Sequence, residues 1–279
     1  MLKPIMKWAG GKRQLLSEII PLIEGLMPRG ATYVEPFVGG GAVLFELRPT
    51  KALINDLNGE LINVYKTVRD EPEALIERLT EHARRHSKEY FYEIREWDRS
   101  EKFYERSAVD RAARTIYLNK TCFNGLYRVN AAGHFNVPFG RYNNPSIVDE
   151  QSLRAVGEYL RQNDVTICNG DYRALFDRLD GNFFVYFDPP YQPLSRSSNF
   201  TSYTQAGFDY NRQVELRDLC CRLRAEEIFF VESNSDCAEV RELYADFEMR
   251  TVRATRAINS AAGRRGAINE VLIYYGRRD

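Results

Sequence analysis

The sequence predicts an α/β fold whose sheet is interrupted by an inserted helical segment. Tyr33-Val34 leads into a glycine-rich turn at residues 35–41, a helix-forming stretch follows at 42–47, and residues 52–56 read as the next strand. These three features together begin a βαβ unit. Helical patterns then dominate up to residue 119, and the alternation of strands and helices returns only after residue 164.

The elements of the two regions differ in kind. Helices of the insert are expected at residues 61–69, 72–85, 89–97 and 109–119. Later strands are expected at 165–168, 183–187, 228–231 and 271–275, with helices at 213–224 and 238–244. The segment 125–142 lacks helical periodicity and predicts a loop with a β-hairpin around Ala132-Gly133. Residues 1–59 and 160–279 therefore form the predicted sheet domain, and residues 60–159 an inserted subdomain.

Charge is balanced over the whole chain but clustered locally. The 279 residues are 44% hydrophobic, which suits one or two globular domains, and Lys+Arg and Asp+Glu both total 39. Two segments carry basic residues without acids: Arg111, Arg114, Lys120, Arg128 and Arg141 in the first, and Arg250, Arg253, Arg256, Arg264 and Arg265 in the second. Such segments are either a solvated surface or a surface that contacts phosphates.

Cysteine and histidine usage favours neither disulfides nor metal. The five cysteines are odd in number and lack C-x-x-C spacing, and no charged leader with an apolar core opens the chain, so we expect a reduced, cytoplasmic protein. His82 and His86 form an i,i+4 pair in a charged stretch and are interpreted as a solvated helix face without metal. The apolar runs are far shorter than the roughly 20 residues that span a bilayer, which excludes a membrane protein.

The glycine turn indicates a nucleoside cofactor without phosphates. A dinucleotide fingerprint starting at Gly39 requires glycine where Leu44 stands, and a phosphate loop ending at Lys12 requires glycine where Met6 stands. Phe37, Gly39 and Gly41 follow one strand, and Asp56 ends the next. Glycines allow close backbone approach, and an acid at that position accepts hydrogen bonds from ribose hydroxyls. A tight turn between strand and helix would also explain the glycines.

Asp188-Pro189-Pro190-Tyr191 ends the apolar run 183–187. The two prolines fix two φ angles and remove two donors, which leaves the Asp188 carboxylate and the Pro189 carbonyl as acceptors for an exocyclic amine. Tyr191 offers a ring for stacking. The alternative is a strand end followed by a proline turn.

Seven segments, in this order, resemble DNA adenine-N6 methyltransferases of the Dam type, especially the GATC-modifying enzymes of DpnII-type restriction systems. They are residues 7–12 (KWAGGK), 35–41 (EPFVGGG), 55–58 (NDLN), 123–130 (FNGLYRVN), 135–142 (FNVPFGRY), 170–172 (GDY) and 188–191 (DPPY). The resemblance covers nearly the whole chain. It implies a Rossmann-like methyltransferase sheet with an inserted, mainly helical DNA-recognition subdomain.

The resemblance also implies S-adenosyl-L-methionine as methyl donor and double-stranded DNA as partner, with no metal and no obligatory protein partner. The implied cofactor-binding residues are Trp8, Lys12, Glu35, Phe37, Gly39, Gly41, Asp56, Asp171, Tyr172 and Asp188. The chemistry of these side chains agrees. A tryptophan face suits the cationic sulfonium, Lys12 can balance a carboxylate, and Asp171 can accept from the adenine amine of the cofactor.

The implied catalytic residues are Asp188, Pro189, Pro190 and Tyr191. Acceptance of both N6 hydrogens would favour a pyramidal nitrogen whose lone pair faces the methyl group, so the rate should arise from positioning and electrostatics. N6 is inaccessible inside a duplex, and the target base is therefore expected to flip out and stack on Tyr191.

The implied DNA-binding residues are Lys7, Phe123, Asn124, Leu126, Arg128, Pro138 and Tyr142. Arg128 and Lys7 are expected to read the two guanines of GATC, since a guanidinium suits bidentate donation to O6 and N7. Leu126 and Pro138 are expected to contact a thymine methyl, or else only to pack the hairpin. Phe123 and Asn124 are expected to hold the orphaned thymine.

Two classes of function remain open from the sequence. The first is the methyltransferase, with an RNA adenine or an N4-cytosine target as variants; Asp rather than Ser before Pro-Pro-Tyr disfavours cytosine. The second is a catalytically silent DNA-binding relative. Asp188 and the complete glycine turn argue against it, because a silent protein needs neither.

Overall fold

The computed structural model describes residues 2–177, 179–191, 208–255 and 267–277. Its strands are β1 Thr32–Glu35, β2 Lys51–Asp56, β3 Asp164–Asn169, β4 Phe183–Phe187, β5 Phe230–Ser235, β6 Glu248–Thr255 and β7 Ala267–Tyr275. They form one sheet in the order β3-β2-β1-β4-β5-β7-β6. The pairs from β3 to β5 are parallel, and β7 is antiparallel to both of its neighbours. The predicted Rossmann-like α/β fold is confirmed.

The helices cover both faces of this sheet. They are α1 Leu16–Leu26, α2 Ala42–Leu47, α3 Gly59–Asp70, α4 Pro72–Arg84, α5 Lys88–Arg95, α6 Ala108–Thr121, α7 Glu150–Gln162, α8 Arg173–Phe176, α9 Tyr210–Ala225 and α10 Ala238–Leu243. All five residues of β4 are buried, as expected of a parallel strand with both faces covered. Phe184 and Tyr186 belong to the hydrophobic core that includes α1 and the insert, and Val185 and Phe187 to the core that includes α9.

Some elements differ from the sequence prediction. Strand β5 was expected at 228–231, but it begins at Phe230 and continues through the polar residues Glu232 to Ser235. All six residues of β5 are buried because side-chain hydrogen bonds satisfy the polar ones. Strand β6 and helices α1, α7 and α8 have no counterpart in the prediction. The helix expected at 89–97 ends at Arg95 and continues as a 3-10 turn, Glu96–Arg99.

The predicted hairpin is present as a tight turn with isolated bridges rather than a continuous ladder. Val129 pairs with Phe135, and the amide of Asn130 donates to the carbonyl of His134 at 2.9 Å. Asp98 of the insert accepts from the Phe135 amide at 2.7 Å and also pairs with the buried Arg114 at 2.7 Å. The base of the hairpin is therefore anchored by the partly buried Asp98 carboxylate.

The insert is not separated from the sheet by a gap in packing. Helix α3 contacts β2 and β3 as well as α4 and α6, and α7 contacts β3 as well as α3 and α4. The proposed boundary at residue 60 falls in the first turn of α3, and the boundary at residue 160 falls near the end of α7. The division into two domains stays a prediction.

The interpretation of the histidine pair as a solvated helix face is wrong for His82. This ring is 1% exposed and stacks on Tyr117 at 5.1 Å, and its Nδ1 is 2.7 Å from the Tyr90 hydroxyl. Burial lowers the pKa of His82 to about 4, so the ring is neutral. Tyr90 of α5, Trp97 of the following 3-10 turn and Tyr117 of α6 surround the His82 ring, which the charged local sequence does not indicate.

Candidate active site

The glycine turn after β1 is shaped by the absence of side chains. Gly39 has φ +47° and Gly41 φ +69°, in the left-handed region that favours glycine. A Cβ at Gly39 would lie 2.8 Å from Trp8 Cδ1, and one at Gly41 would lie 2.7 Å from the Tyr65 hydroxyl. That hydroxyl donates to the Gly39 carbonyl at 2.9 Å. The turn therefore holds Trp8 directly against its backbone.

Asp56 ends β2, the strand beside β1, and faces this turn. Its Oδ2 accepts from the Gly39 amide at 3.0 Å, and its Oδ1 accepts from the Asn58 amide at 2.9 Å. Burial raises the pKa of Asp56 to about 6, against these two bonds, which lower it. A carboxylate accepts about four hydrogen bonds, so each oxygen retains one lone pair for a ligand.

Glu35 lies deeper, at the end of β1. It is 2% exposed, and its Oε2 accepts from the Tyr33 hydroxyl at 2.9 Å. Burial raises the pKa of Glu35 well above its ordinary range. Glu35 is therefore a buried acid at the start of the turn, and its contact with a cofactor stays a prediction.

An aromatic wall lies on the other side of the turn. Phe37 contacts the buried ring of Tyr172 at 4.9 Å between centroids and Phe208 at 5.9 Å. Asp171 precedes this wall, and Arg173 donates to both of its oxygens at 2.9 and 2.7 Å. This pairing lowers the pKa of Asp171 and keeps it an acceptor over the whole neutral range.

Asp188 follows β4 and pairs with a lysine from the N-terminal segment. Lys12 Nζ lies 2.8 Å from Asp188 Oδ1, and it also donates to the Gly10 carbonyl at 2.6 Å. The Lys12 side chain is 4% exposed and that of Asp188 21%. Burial raises the pKa of Asp188 to about 6, while Lys12 lowers it. The structure thus joins two motifs from opposite ends of the catalytic region.

Glu270 completes this cluster, and the sequence analysis missed it. Its Oε2 accepts from the Tyr191 hydroxyl and lies 4.0 Å from Lys12 Nζ, which itself lies 4.5 Å from the Tyr191 ring centroid. Glu270 sits on β7 opposite Ser235 of β5. Its only signal in the sequence is one acid beside the apolar run 271–275.

The predicted DNA-contacting residues meet around the hairpin. Asn119 accepts from the Lys7 amide at 3.0 Å and donates to the carbonyls of Lys7 and Gly125 at 2.8 and 2.9 Å. Lys7 Nζ lies 5.2 Å from the centroid of the Tyr142 ring. Asn119 therefore couples the N-terminal segment to the start of the hairpin, and no sequence motif indicated it.

The tip of this surface is open to solvent. Phe123 is 49% exposed, and its amide donates to the carbonyl of Pro138 at 2.9 Å. Asn124 adopts φ +56°, and Leu126 packs partly against the core. Arg128 Nε donates to Asn136 Oδ1 at 2.7 Å, and this bond does not use either of the terminal nitrogens of Arg128.

Trp8 connects the hairpin with the glycine turn. Its ring stacks on Tyr127 at 5.2 Å with an interplanar angle of 25°. The turn at Gly39 packs on the same indole. Trp8 therefore contacts both groups of candidate residues, those of the hairpin and those of the glycine turn.

The second basic segment lies elsewhere. Arg250 and Arg253 are on β6, where Arg250 Nη1 lies 3.7 Å from Glu18 Oε2 of α1. Arg256, Arg264 and Arg265 lie outside the described residues. Within the described ranges, no group of three or more His, Cys, Asp or Glu side chains is placed to hold a metal, and no helix is long and apolar enough to cross a membrane.

A sheet of this order, with a glycine turn after β1 and an acid as the last residue of β2, is consistent with a Rossmann-like methyltransferase fold. The sequence profile of the D12 class N6 adenine-specific DNA methyltransferases matches residues 8–258, and the chain belongs to this family. It is an adenine-specific DNA methyltransferase.

Relatives agree with this assignment along almost the whole chain. The Type II methyltransferase M1.LlaDCHI of Lactococcus lactis subsp. cremoris is 49% identical over 274 residues, covering 98% of this chain and 95% of the relative. M.MjaIII of Methanocaldococcus jannaschii is 41% identical over 289 residues, covering 98% of each chain. The DNA adenine methylase of Escherichia coli K12 is 33% identical over 276 residues, covering 98% and 95%.

Proposed function

We propose that this methyltransferase transfers a methyl group from S-adenosyl-L-methionine to N6 of an adenine within GATC in double-stranded DNA, after that adenine has flipped out of the helix. The observation that carries the proposal is the position of Asp188. It lies at the end of β4, the strand next to β1, so the amine acceptor and the glycine turn are at the same edge of the sheet.

The residues around the glycine turn fit an adenosine cofactor. The turn leaves no room for a Cβ at Gly39 or Gly41, and Asp56 retains lone pairs for two ribose hydroxyls. Phe37 and Tyr172 offer rings for an adenine, with the ionised Asp171 beside them. S-adenosyl-L-methionine supplies an electrophilic methyl group on a sulfonium sulfur.

Asp188 and the Pro189 carbonyl would accept the two hydrogens of the target amine. These two hydrogen bonds would direct the N6 lone pair towards the methyl group. The resulting rate enhancement would come from positioning and electrostatics. The N6–C bond forms as the S–C bond breaks, and its electron pair stays on sulfur. The product amine then releases one proton, either to Asp188 or to water.

Access to N6 requires base flipping, which costs a few kcal/mol of unstacking. Tyr191, whose hydroxyl is held by Glu270, is the proposed stacking partner of the flipped base. Phe123 and Asn124, at the exposed tip beside Pro138, are the proposed contacts to the orphaned thymine. Stacking on an aromatic side chain contributes about 1–3 kcal/mol per base.

Recognition of GATC is assigned to the surface around the hairpin. Arg128 presents its terminal nitrogens while Asn136 holds its Nε, a geometry suited to guanine O6 and N7. Lys7, tied to the hairpin through Asn119, is the proposed contact to the other guanine. Leu126, Pro138 and Tyr142 border the same surface.

The test is transfer of a tritiated methyl group to matched oligonucleotides. Duplex GATC, duplex GTTC, single-stranded GATC and an RNA duplex of the same sequence are compared, and the labelled nucleoside is identified by chromatography after digestion. We expect N6-methyl-2′-deoxyadenosine from duplex GATC at a rate roughly 5- to 150-fold above the rate of transfer to duplex GTTC, because one altered base pair costs about 1–3 kcal/mol of discrimination. Labelled cytosine, faster transfer to RNA, or DNA binding without transfer would overturn the proposal.

Base flipping is tested separately with 2-aminopurine in place of the target adenine. We expect its fluorescence to rise on binding to the wild-type enzyme, because the base leaves the stack. The same base placed outside GATC is the control. An unchanged signal at the target position would contradict flipping while leaving the transfer assay intact.

A further inference from the structure

The catalytic turn Asp188–Tyr191 cannot be held by its own amides at two positions, because Pro189 and Pro190 carry no N–H. Side chains from distant elements hold it instead. Lys12 pairs with Asp188, Glu270 accepts from the Tyr191 hydroxyl, and Gln213 Nε2 of α9 donates to the Pro190 carbonyl at 3.2 Å. The third of these contacts is the one that reaches the backbone of the turn.

The orientation of the Gln213 amide is fixed by a buried chain of side chains on β5. Gln213 Oε1 accepts from Asn234 Nδ2 at 3.0 Å, and the same Nδ2 donates to Glu232 Oε1 at 2.9 Å. Asn234 Oδ1 accepts from the Ser235 amide at 2.8 Å. The Asn234 amide can therefore face only one way, and it turns the NH2 group of Gln213 towards Pro190.

This chain is fully removed from solvent. Gln213 is 1% exposed, and Asn234 and Glu232 are 0% exposed. Burying three polar side chains costs free energy that apolar residues at the same positions would not cost, even when every group is paired. Its contact with the catalytic turn is the hydrogen bond from Gln213 to the Pro190 carbonyl.

We propose that Gln213 is a positioning residue for methyl transfer, which holds the Pro190 carbonyl and so fixes the neighbouring Pro189 carbonyl and Asp188 carboxylate. Asn234 and Glu232 act through Gln213. The inference rests on the proposed function, since it takes Asp188 and Pro189 as the acceptors of the target amine. Gln213 itself need not touch DNA or cofactor.

The first test replaces Gln213 by Leu in the full chain. We expect kcat to fall by about ten- to a hundredfold, because a shift of about 1 Å in reacting groups costs that much. The affinities for GATC duplex and S-adenosylhomocysteine should stay within about threefold, since neither ligand is bound through the Pro190 carbonyl. The matched control is Gln162→Leu, an exposed glutamine of α7. A kcat for Gln213→Leu equal to that of the control would overturn the proposal.

The second test uses Gln213→Glu, which keeps the shape and gives a readout that loss of packing would not. A carboxylate cannot donate to the Pro190 carbonyl, whereas a protonated carboxyl can. Burial should raise the pKa of the new acid, so the rate relative to wild type should rise as pH falls from about 8 to about 6. A ratio of Gln213→Glu rate to wild-type rate that does not depend on pH would overturn the proposal. This test remains available even when Gln213→Leu does not fold.

The comparison with wild type at each pH separates the new acid from the ionisable groups already there. Glu232, Cys220 and Tyr244 lie along the buried chain, and Asp188 lies at the turn. All four are present in both proteins. A rise of the ratio at low pH therefore shows protonation of the new carboxyl group at position 213, which restores the donor to the Pro190 carbonyl.

Asp188→Ala separates failure of this inference from failure of the proposed function. If Asp188→Ala keeps wild-type turnover, the assigned catalytic turn is wrong and the role of Gln213 falls with it. If Asp188→Ala is inactive while Gln213→Leu matches the Gln162→Leu control, only the positioning role is refuted.

Discussion

Lys12 Nζ and Asp188 Oδ1 form an ion pair of 2.8 Å between the N-terminal segment and the end of β4. The lysine is almost wholly buried and also donates to the Gly10 carbonyl. Two effects therefore act on Asp188 in opposite directions. Burial raises its pKa, Lys12 lowers it, and the balance leaves a value of about 6.

The rate of methyl transfer should depend on this pKa. A protonated Asp188 loses its charge and part of its capacity to accept, so kcat should fall as pH decreases through about 6. The rate should be constant above this region until other groups titrate. Single-turnover rates at saturating cofactor and DNA measure it, with DNA binding followed at each pH. A constant rate down to about pH 5 would contradict the role of an ionised Asp188.

Replacing Lys12 by Gln should move the same limb of the profile to higher pH. The ammonium stabilises the charged form of Asp188, and its removal favours the protonated form, so the pKa rises. Cofactor must be saturating, because Lys12 is also proposed to bind it. Arg13→Gln, at the exposed neighbouring position, is the control and should leave the profile unchanged. An unshifted limb in Lys12→Gln would mean that the ion pair does not set the titration.

Asp56→Ala should weaken cofactor binding far more than DNA binding. Each hydrogen bond from a ribose hydroxyl to a charged acceptor is worth about 1.5–3 kcal/mol, so two imply a loss of at least about a hundredfold. Calorimetry with S-adenosylhomocysteine measures this loss, and Asp164→Ala, at the exposed start of β3, is the control. If cofactor affinity is unchanged, Asp56 is only an acceptor for the amides of Gly39 and Asn58.

Glu232→Gln should change how stability depends on pH. Burial raises the pKa of Glu232 from 4.5 to about 7, so the folded chain binds this proton more tightly than the unfolded chain. The stability of the wild type should therefore fall as pH rises from about 4.5 to about 7. The variant lacks this loss, and its melting temperature should exceed that of the wild type by several degrees at about pH 8 but not at about pH 5.

The matched control for this measurement is Glu248→Gln, an exposed glutamate of β6. Its melting temperature should follow that of the wild type at every pH. A difference between Glu232→Gln and wild type that is the same at about pH 5 and about pH 8 would show that Glu232 does not titrate in this range.

The sequence was sufficient for features that arise from local pattern. The apolar run of β4, the glycine turn and the helices of the insert follow from periodicity and turn chemistry, and the structure has them at nearly the expected bounds. Motif order was sufficient for the family. The sequence did not indicate that polar residues would be buried. The polar stretch Glu232 to Ser235 is typical of the end of a strand, yet β5 continues through it.

The missed residues have a common cause. Asn119, Gln213 and Glu270 lie outside every motif, and each has a hydrogen-bond partner that is distant in sequence. A hydrogen bond between elements far apart in the chain leaves no periodicity in either of them. Only the sheet order and helix packing bring these partners together, so only the structure could identify them.

Arg128→Ala should relax discrimination at one guanine rather than weaken all binding equally. Asn136 holds Arg128 Nε at 2.7 Å, so the guanidinium is oriented before it meets a base. A good bidentate pair contributes about 1–3 kcal/mol of base discrimination, whereas a phosphate contact contributes none. Methylation rates on GATC and on sites altered at each position should therefore converge at a single position in the variant.

The salt dependence of binding decides between the two roles of Arg128. A base-reading arginine leaves the slope of log K against log salt nearly unchanged, whereas loss of one phosphate contact lowers its magnitude by about one. Arg222→Ala, on the exposed surface of α9, is the control and should match the wild type in both measurements. If Arg128→Ala slows methylation of every site by the same factor and lowers the magnitude of the salt slope, Arg128 contacts the DNA backbone. Loss of a base-reading residue would instead change the rates on different sites by different factors.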